Sequence, residues 1–133
     1  MICLYAVSVN TNEKPQISVP DGAPPTDLQF VDDVVGDGPE ATAGMQVNVD
    51  YVGVSWSTGN EFDASWNRNQ LLSFGLGAGQ VISGWDQGVA GMKVGGRRTI
   101  TIPPHLGYGA AGAGGVIGPN ETLIFTVDLR SIG

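Results

Sequence analysis

"GQVISGWDQGVAGM", Gly79 to Met92, is the stretch whose spacing is helical in a chain otherwise patterned for strands. Ile82, Trp85, Val89 and Met92 fall on one side at that spacing. Gly84, Gly88 and Gly91 interrupt it, and each weakens a helix by up to about 1 kcal/mol relative to alanine. The reading is one short helix built around the largest side chain available. Lys93 and Gly95 supply its stop. Gly84 is expected to leave room for chain or ligand beside the Trp85 indole.

Outward from this helix the pattern changes to period two. "MQVNVDYVGV" places Met45, Val47, Val49 and Tyr51 on one face and Gln46, Asn48 and Asp50 on the other. That predicts a half-buried strand with a solvated back. "DLQFVDDVV", "LLSFGL" and "RRTITIPP" add further strand candidates, the last stopped by Pro103 and Pro104, while "SWSTGNE" reads as a turn followed by "FDASWNRN". "TLIFTVDLRSI" alternates again, with Leu123, Phe125, Val127 and Leu129 inward. The connections are too short for parallel crossovers. The predicted class is therefore α+β: an antiparallel twisted sheet of about five to six strands wrapped on one short helix. "HLGYGAAGAGGVIGPNE" reads as a long glycine-rich loop, a feature usually tied to function.

Residues 1–25 read as an N-terminal extension, partly extended or strand, with a short strand at 16–19. Residues 26–133 form the domain. Proline-rich "NTNEKPQISVPDGAPP" carries the extended character. "MICLYAVSV" reads as an edge strand or a flexible start, since it lacks a basic leader and a cleavage pattern.

At 133 residues, 41% apolar and 14% charged, the chain suits one globular domain. Thirteen acidic against six basic residues give a formal charge of −7, which argues against nucleic acid and anionic membranes as partners. The Arg97-Arg98 pair is expected on a strand face. Cys3 is the single cysteine, so no internal disulfide forms. Cys3 and the one histidine, His105, cannot build a zinc site, and no metal or cofactor is expected. There is no Walker A lysine and no G-x-S-x-G. "GLGAG" is shorter than a dinucleotide fingerprint and reads as a turn after a strand. An enzyme with this inventory needs chemistry without a strong nucleophile.

What is present is a set of aromatics from separate segments: Tyr51, Phe62, Phe74, Trp85, Tyr108 and Phe125. Taken singly, each is most simply core. Their flanking motifs alter that. "FDASWNR", "VISGWDQGVAGMKVGGRRTITIPPHLGYG" and "TLIFTVDL" closely resemble the FKBP-type peptidyl-prolyl isomerases, the immunophilins that bind tacrolimus and rapamycin. The resemblance runs from about Thr26 to Ile132.

The resemblance implies a peptidyl-prolyl cis/trans isomerase (rotamase) that assists protein folding by rotating X-Pro bonds in an apolar aromatic pocket. It implies catalytic roles for Tyr51, Asp63, Trp85, Tyr108 and Phe125, with Trp85 as floor and the Tyr108 hydroxyl directed at a substrate carbonyl. It implies substrate contacts for Phe62, Arg68, Leu72, Phe74, Val81, Ile82, Val116 and Ile117, with Ile82 also offering its backbone amide. Asp63 is given two compatible roles, an ion pair with Arg68 and pocket polarity. The implied partners are proline-containing peptides, unfolded proteins, and macrolides such as tacrolimus and rapamycin. A cytoplasmic monomer is expected. The alternative is a non-catalytic binding or chaperone module using the same pocket.

Three features depart from the family pattern. Leu71-Leu72 stands where proline and phenylalanine are usual, and Asp50 where histidine is common. Ala113 and Gly118 sit at loop positions that are often bulkier. Asp50, facing away from Tyr51, is expected to matter little.

Overall fold

The computed structural model describes residues 11–113 and 116–133. Cys3 and the "MICLYAVSV" reading lie outside the described residues. Six strands form one antiparallel sheet: β1 (Gln29–Val34), β2 (Gln46–Ser55), β3 (Glu61–Ala64), β4 (Leu72–Gly75), β5 (Arg97–Ile102) and β6 (Leu123–Ile132). The order is β1-β5-β6-β2-β3, and β4 also pairs with β2. Among the described residues a single α-helix, α1 (Ser83–Gly88), packs on the inner face. Both the class and the strand count match the sequence reading.

β2 carries the sheet. It pairs with β6 from Val47 to Ser55, while β4 takes Gln46–Val49 and β3 takes Val52–Val54. Neither β3 nor β4 pairs with Asp50 or Tyr51. There the chain leaves the ladder in a 3₁₀ turn, Ser65–Arg68, closed by Asn69 in the left-handed region at φ 50°. The Tyr51 amide, lacking a strand partner on this side, donates to Ser65 Oγ at 2.8 Å. Ser65 Oγ in turn donates to Asp50 Oδ1 at 2.8 Å. Arg130 Nε donates to Asp50 Oδ2 at 3.1 Å. Asp50 therefore matters more than its outward direction predicts, because it anchors the turn that opens the sheet edge.

The inner face holds the core: Val47, Val49, Tyr51, Ile100, Ile102, Leu123, Phe125, Val127 and Leu129, packed on Trp85, Val89 and Met92. All four inward residues expected of β6 are buried. The sheet's back differs from expectation. Val52, Val54, Ile124, Thr126 and Asp128 are buried too, so neither β2 nor β6 has a solvated back throughout. Met45 precedes β2 and is 37% exposed instead of facing inward.

The N-terminal segment lies along this back face. Arg130 Nη2 donates to the Thr11 carbonyl at 2.5 Å, and Arg97 Nη2 to the Glu13 carbonyl at 2.8 Å. Pro15 and Ile17 border Val52 and Val54. Residues 16–19 form no strand; Pro15 and Pro20 flank them and remove amide donors. Arg97 and Arg98 are both buried and lie on opposite faces of β5. Arg97 pairs with fully buried Asp128 at 2.7 Å, and Arg98 with Asp32 at 2.7 Å. Burial pushes the Asp128 carboxyl up, against the pull of Arg97.

α1 is six residues long and ends earlier than Lys93 and Gly95 suggest. The chain turns at Gly91, which adopts φ 92°. Arg98 Nη1 donates to the Gly88 and Ala90 carbonyls at 2.8 and 3.1 Å, which satisfies acceptors at the helix end. The glycines have a packing reason. A Cβ built on Gly84 would lie 2.5 Å from Ile102 Cγ2, and one on Gly88 would lie 2.9 Å from Ile100 Cγ2. Gly84 thus makes room for β5, not for a ligand. The two glycines, four apart, form the helix surface that touches the sheet.

Candidate functional site

The pocket opens where β2 has lost its edge partner, so one sheet interruption creates both the opening and its polar wall. Trp85 forms the floor and is only 3% exposed. Around it the rings stand edge to face. Tyr51 lies 5.0 Å from Trp85 at 83°, and Phe125 lies 5.2 Å away at 86°. Phe62 meets Phe125 at 5.5 Å and 89°. Such tilted pairs contribute about 0.5–1.5 kcal/mol each beyond area burial, and they fix the rings in place.

Gly53 permits this arrangement. It sits between Asp63 and Phe125 in the ladder register. A Cβ at Gly53 would lie 2.6 Å from Phe125 Cε1 and 2.7 Å from Phe62 Cζ. A glycine inside a strand signals close approach of another group, and that signal was present in the sequence.

The polar wall is a closed network. Tyr51 Oη donates to Asp63 Oδ2 at 2.5 Å and accepts from Arg68 Nη2 at 2.8 Å. Arg68 Nη1 donates to Asp63 Oδ1 at 2.7 Å, and the Ala64 amide donates to the same oxygen at 2.9 Å. Burial pushes the Asp63 carboxyl up, but the bonds from Tyr51 and Arg68 outweigh it and hold the carboxyl below its ordinary range. Burial, reinforced by the Asp63 carboxylate, pushes the Tyr51 phenol up to about 12. Arg68 is held more firmly protonated, chiefly by its bond to Asp63. At neutral pH the network is therefore one carboxylate, one guanidinium and one neutral phenol.

The cavity encloses about 180 Å³. Tyr51, Phe62, Asp63, Leu72, Val81, Ile82, Trp85, Tyr108 and Phe125 line it, as does Gln80, which the sequence reading passed over. Gln80 is held by its Oε1, which accepts the Gly75 amide at 2.8 Å. Nothing in its residue type marks it. Arg68 stands behind the wall, bonded to Tyr51 and Asp63, and does not line the cavity. Three expected lining residues sit elsewhere. Phe74 lies against Trp85, 5.6 Å away, and is buried, because β4 turns it inward. Ile117 is buried core, while Val116 is 64% exposed on an adjoining groove. They diverge because adjacent residues of the loop point apart where Ala113 and Ile117 bridge.

At the rim, Tyr108 is 41% exposed, and its hydroxyl makes no hydrogen bond among the described residues. Ile82 precedes α1 in extended conformation, and its carbonyl accepts the Trp85 amide at 2.9 Å. The "GLGAG" segment is a turn, as read: the Gly77 and Gly79 amides donate to the Asp86 carboxylate at 2.8 and 3.1 Å. Among the described residues no cluster of His, Cys, Asp or Glu could hold a metal. A larger cavity of about 420 Å³ lies on the back of the sheet beside residues 16–20, but Phe30 is its one aromatic.

Comparison with known proteins agrees with the fold. Residues 38–130 match the family model described as FKBP-type peptidyl-prolyl cis-trans isomerase. The chain is 64% identical over 121 residues to an FK506-binding protein of Streptomyces anulatus, covering 90% of this chain and 98% of that protein. It is 50% identical over 119 residues to a probable FK506-binding protein of Corynebacterium glutamicum, covering 90% and 98%. The crystal structure of AtFKBP13 superposes with a TM-score of 0.75 at 41% identity, covering 83% of this chain and 96% of that one.

Proposed function

The chain belongs to the FKBP-type peptidyl-prolyl cis-trans isomerase family, and from that membership we propose that the Trp85-floored pocket is where X-Pro bonds rotate. The carrying observation is an apolar box of rings beside a polar network that is internally neutralised. This chemistry requires no bond to covalent neighbours to break. The amide barrier, about 18–20 kcal/mol, comes from resonance that places charge on the carbonyl oxygen. The twisted transition state loses resonance and carries less charge separation. Moving the amide from water into an apolar cavity therefore penalises the planar ground state more than the twisted one.

The residues divide the work. Trp85, Phe125 and Phe62 exclude water and hold the prolyl ring. Tyr51 is a wall, and its hydroxyl is spent on Asp63 and Arg68. Asp63, itself ionised, holds the Tyr51 phenol in place as a neutral donor and adds local polarity. The free Tyr108 hydroxyl and the Ile82 amide are the donors that align substrate carbonyls. A ten-thousand-fold acceleration requires about 5.4 kcal/mol, shared among desolvation and these contacts.

The proposed substrates are proline-containing peptides and unfolded chains. Tacrolimus and rapamycin are proposed as competing ligands, on the strength of relatives named FK506-binding proteins. A cytoplasmic monomer completes the proposal, supported by a single cysteine, which suits a reducing compartment. NMR exchange on a Leu-Pro peptide tests the reading, with and without tacrolimus. Acceleration that tacrolimus abolishes is expected. Tyr108→Phe should lower kcat/KM about tenfold, the equivalent of one hydrogen bond to substrate, without moving Tm. No acceleration by folded protein at micromolar concentration overturns the reading; tacrolimus binding without turnover would leave a binding module.

A further inference from the structure

Beyond the Phe62 ring, the aromatic pocket adjoins a second groove of about 410 Å³. Phe62 lines both, so a chain whose proline occupies the pocket enters the groove within about two residues, some 7 Å of extended backbone. The groove has polar groups at Ser57, Thr58 and Asn60, an exposed apolar flank at Val116, and two carboxylates, Glu61 and Glu121.

The carboxylates differ. Glu61 is paired with Lys14 at 2.9 Å and accepts from Asn67 at 2.9 Å. Asp63, next door in the pocket, is paired with Arg68 at 2.7 Å. Glu121 is held in place without being neutralised. Its Oε2 accepts the Ser57 amide at 3.0 Å, and its Oε1 accepts the Ser57 hydroxyl at 2.5 Å. Among the described residues no cation forms an ion pair with it. A carboxylate offers about four lone-pair positions, and two are taken. The fixed, uncompensated negative charge in this groove is therefore Glu121.

We propose that this groove is a subsite for the polypeptide flanking the proline and that Glu121 selects a lysine or arginine there. The inference rests on the pocket being the isomerase site. Val116 and the Phe62 edge take the aliphatic stem of such a side chain, while its charged end reaches Glu121.

The test uses prolyl peptides with one constant residue before proline and Lys, Gln or Glu placed two or three positions away, on either side. kcat/KM is read by NMR exchange at low and at high salt. A pair at this exposure shifts kcat/KM by about two- to five-fold. The expected order is Lys above Gln above Glu on one side of the proline, narrowing at high salt. Glu121→Gln should equalise the three peptides, and Glu121→Lys should reverse them. Glu40→Gln, a carboxylate remote from the groove, should keep the order. Equal kcat/KM for all three peptides on both sides, with the Gln peptide still isomerised, overturns the subsite alone. Equal erosion by Glu40→Gln and Glu121→Gln also overturns it, since net charge would then be the cause. Failure to isomerise even the Gln peptide overturns the site reading beneath it.

Discussion

Replacing Gly84 by alanine sets two effects of opposite sign against each other. In a helix that only suffers from its glycines, the change gains up to about 1 kcal/mol. Here the new Cβ would lie 2.5, 2.7 and 2.8 Å from Cγ2, Cδ1 and Cγ1 of Ile102. These are all the outer carbons of a fully buried side chain, and a β-branched residue has no easy alternative rotamer. Overpacking of this kind costs about 1–3 kcal/mol, and contact with three carbons argues for the upper half. The net expectation is a loss of about 1–2 kcal/mol, or a fall in Tm of about 3–8 °C for a domain this size. Urea unfolding followed by tryptophan fluorescence reads it as a lower midpoint at unchanged m-value. In an Ile102→Ala background, which leaves a cavity, the same substitution should be neutral or stabilising, giving a coupling of about 2 kcal/mol. A Gly84→Ala protein as stable as the parent, or an equal loss in both backgrounds, would refute the close-approach argument.

Other expectations follow from the same geometry. Gly53→Ala forces Phe62 and Phe125 apart, so isomerase kcat/KM should fall at least about tenfold, with a stability loss of about 1–3 kcal/mol; unchanged activity would separate those rings from catalysis. The pH profile should be flat from about pH 5 to 9, because Asp63 and Tyr51 are displaced outward from that range. The Asp63 carboxyl is lowered in the folded state, so its contribution is present above the ordinary carboxylate range and lost as pH falls through the folded value. The Tyr51 phenol is raised, so its contribution is present below pH about 10 and lost as pH rises through about 12. A titration near neutrality in the rate profile would contradict this. Deleting residues 1–20 removes the carbonyls that Arg97 and Arg130 bond, and should lower stability by about 3 kcal/mol in urea melts while leaving the pocket rings in register by NMR.

The strands were legible because their information is local. Alternation along Gln46–Tyr51 and Leu123–Leu129 follows from the two-residue repeat of extended backbone and the need to bury one side of it. The burial of Trp85, Val89 and Met92 was legible from helical spacing, although only Trp85 lies within α1. Motif resemblance then brought Tyr51, Asp63, Trp85 and Phe125 together before any geometry was known. The sequence could not say which buried ring lines a cavity and which only supports it. Phe74 and Phe125 have equivalent alternating patterns, yet one lies against the indole and the other borders the opening.

Three matters belonged to tertiary structure alone. The back of the sheet reads as solvated from β2 but is buried by a segment more than thirty residues upstream. The glycines of "GQVISGWDQGVAGM" read as a defect in the helix until Ile100 and Ile102 stand beside them. Asp50 reads as an idle outward residue until Ser65 and Arg130 reach it. Periodicity records what one segment needs from its surroundings. Which distant segment meets that need is decided only when the chain closes on itself, because distance along the chain carries no record of distance in space.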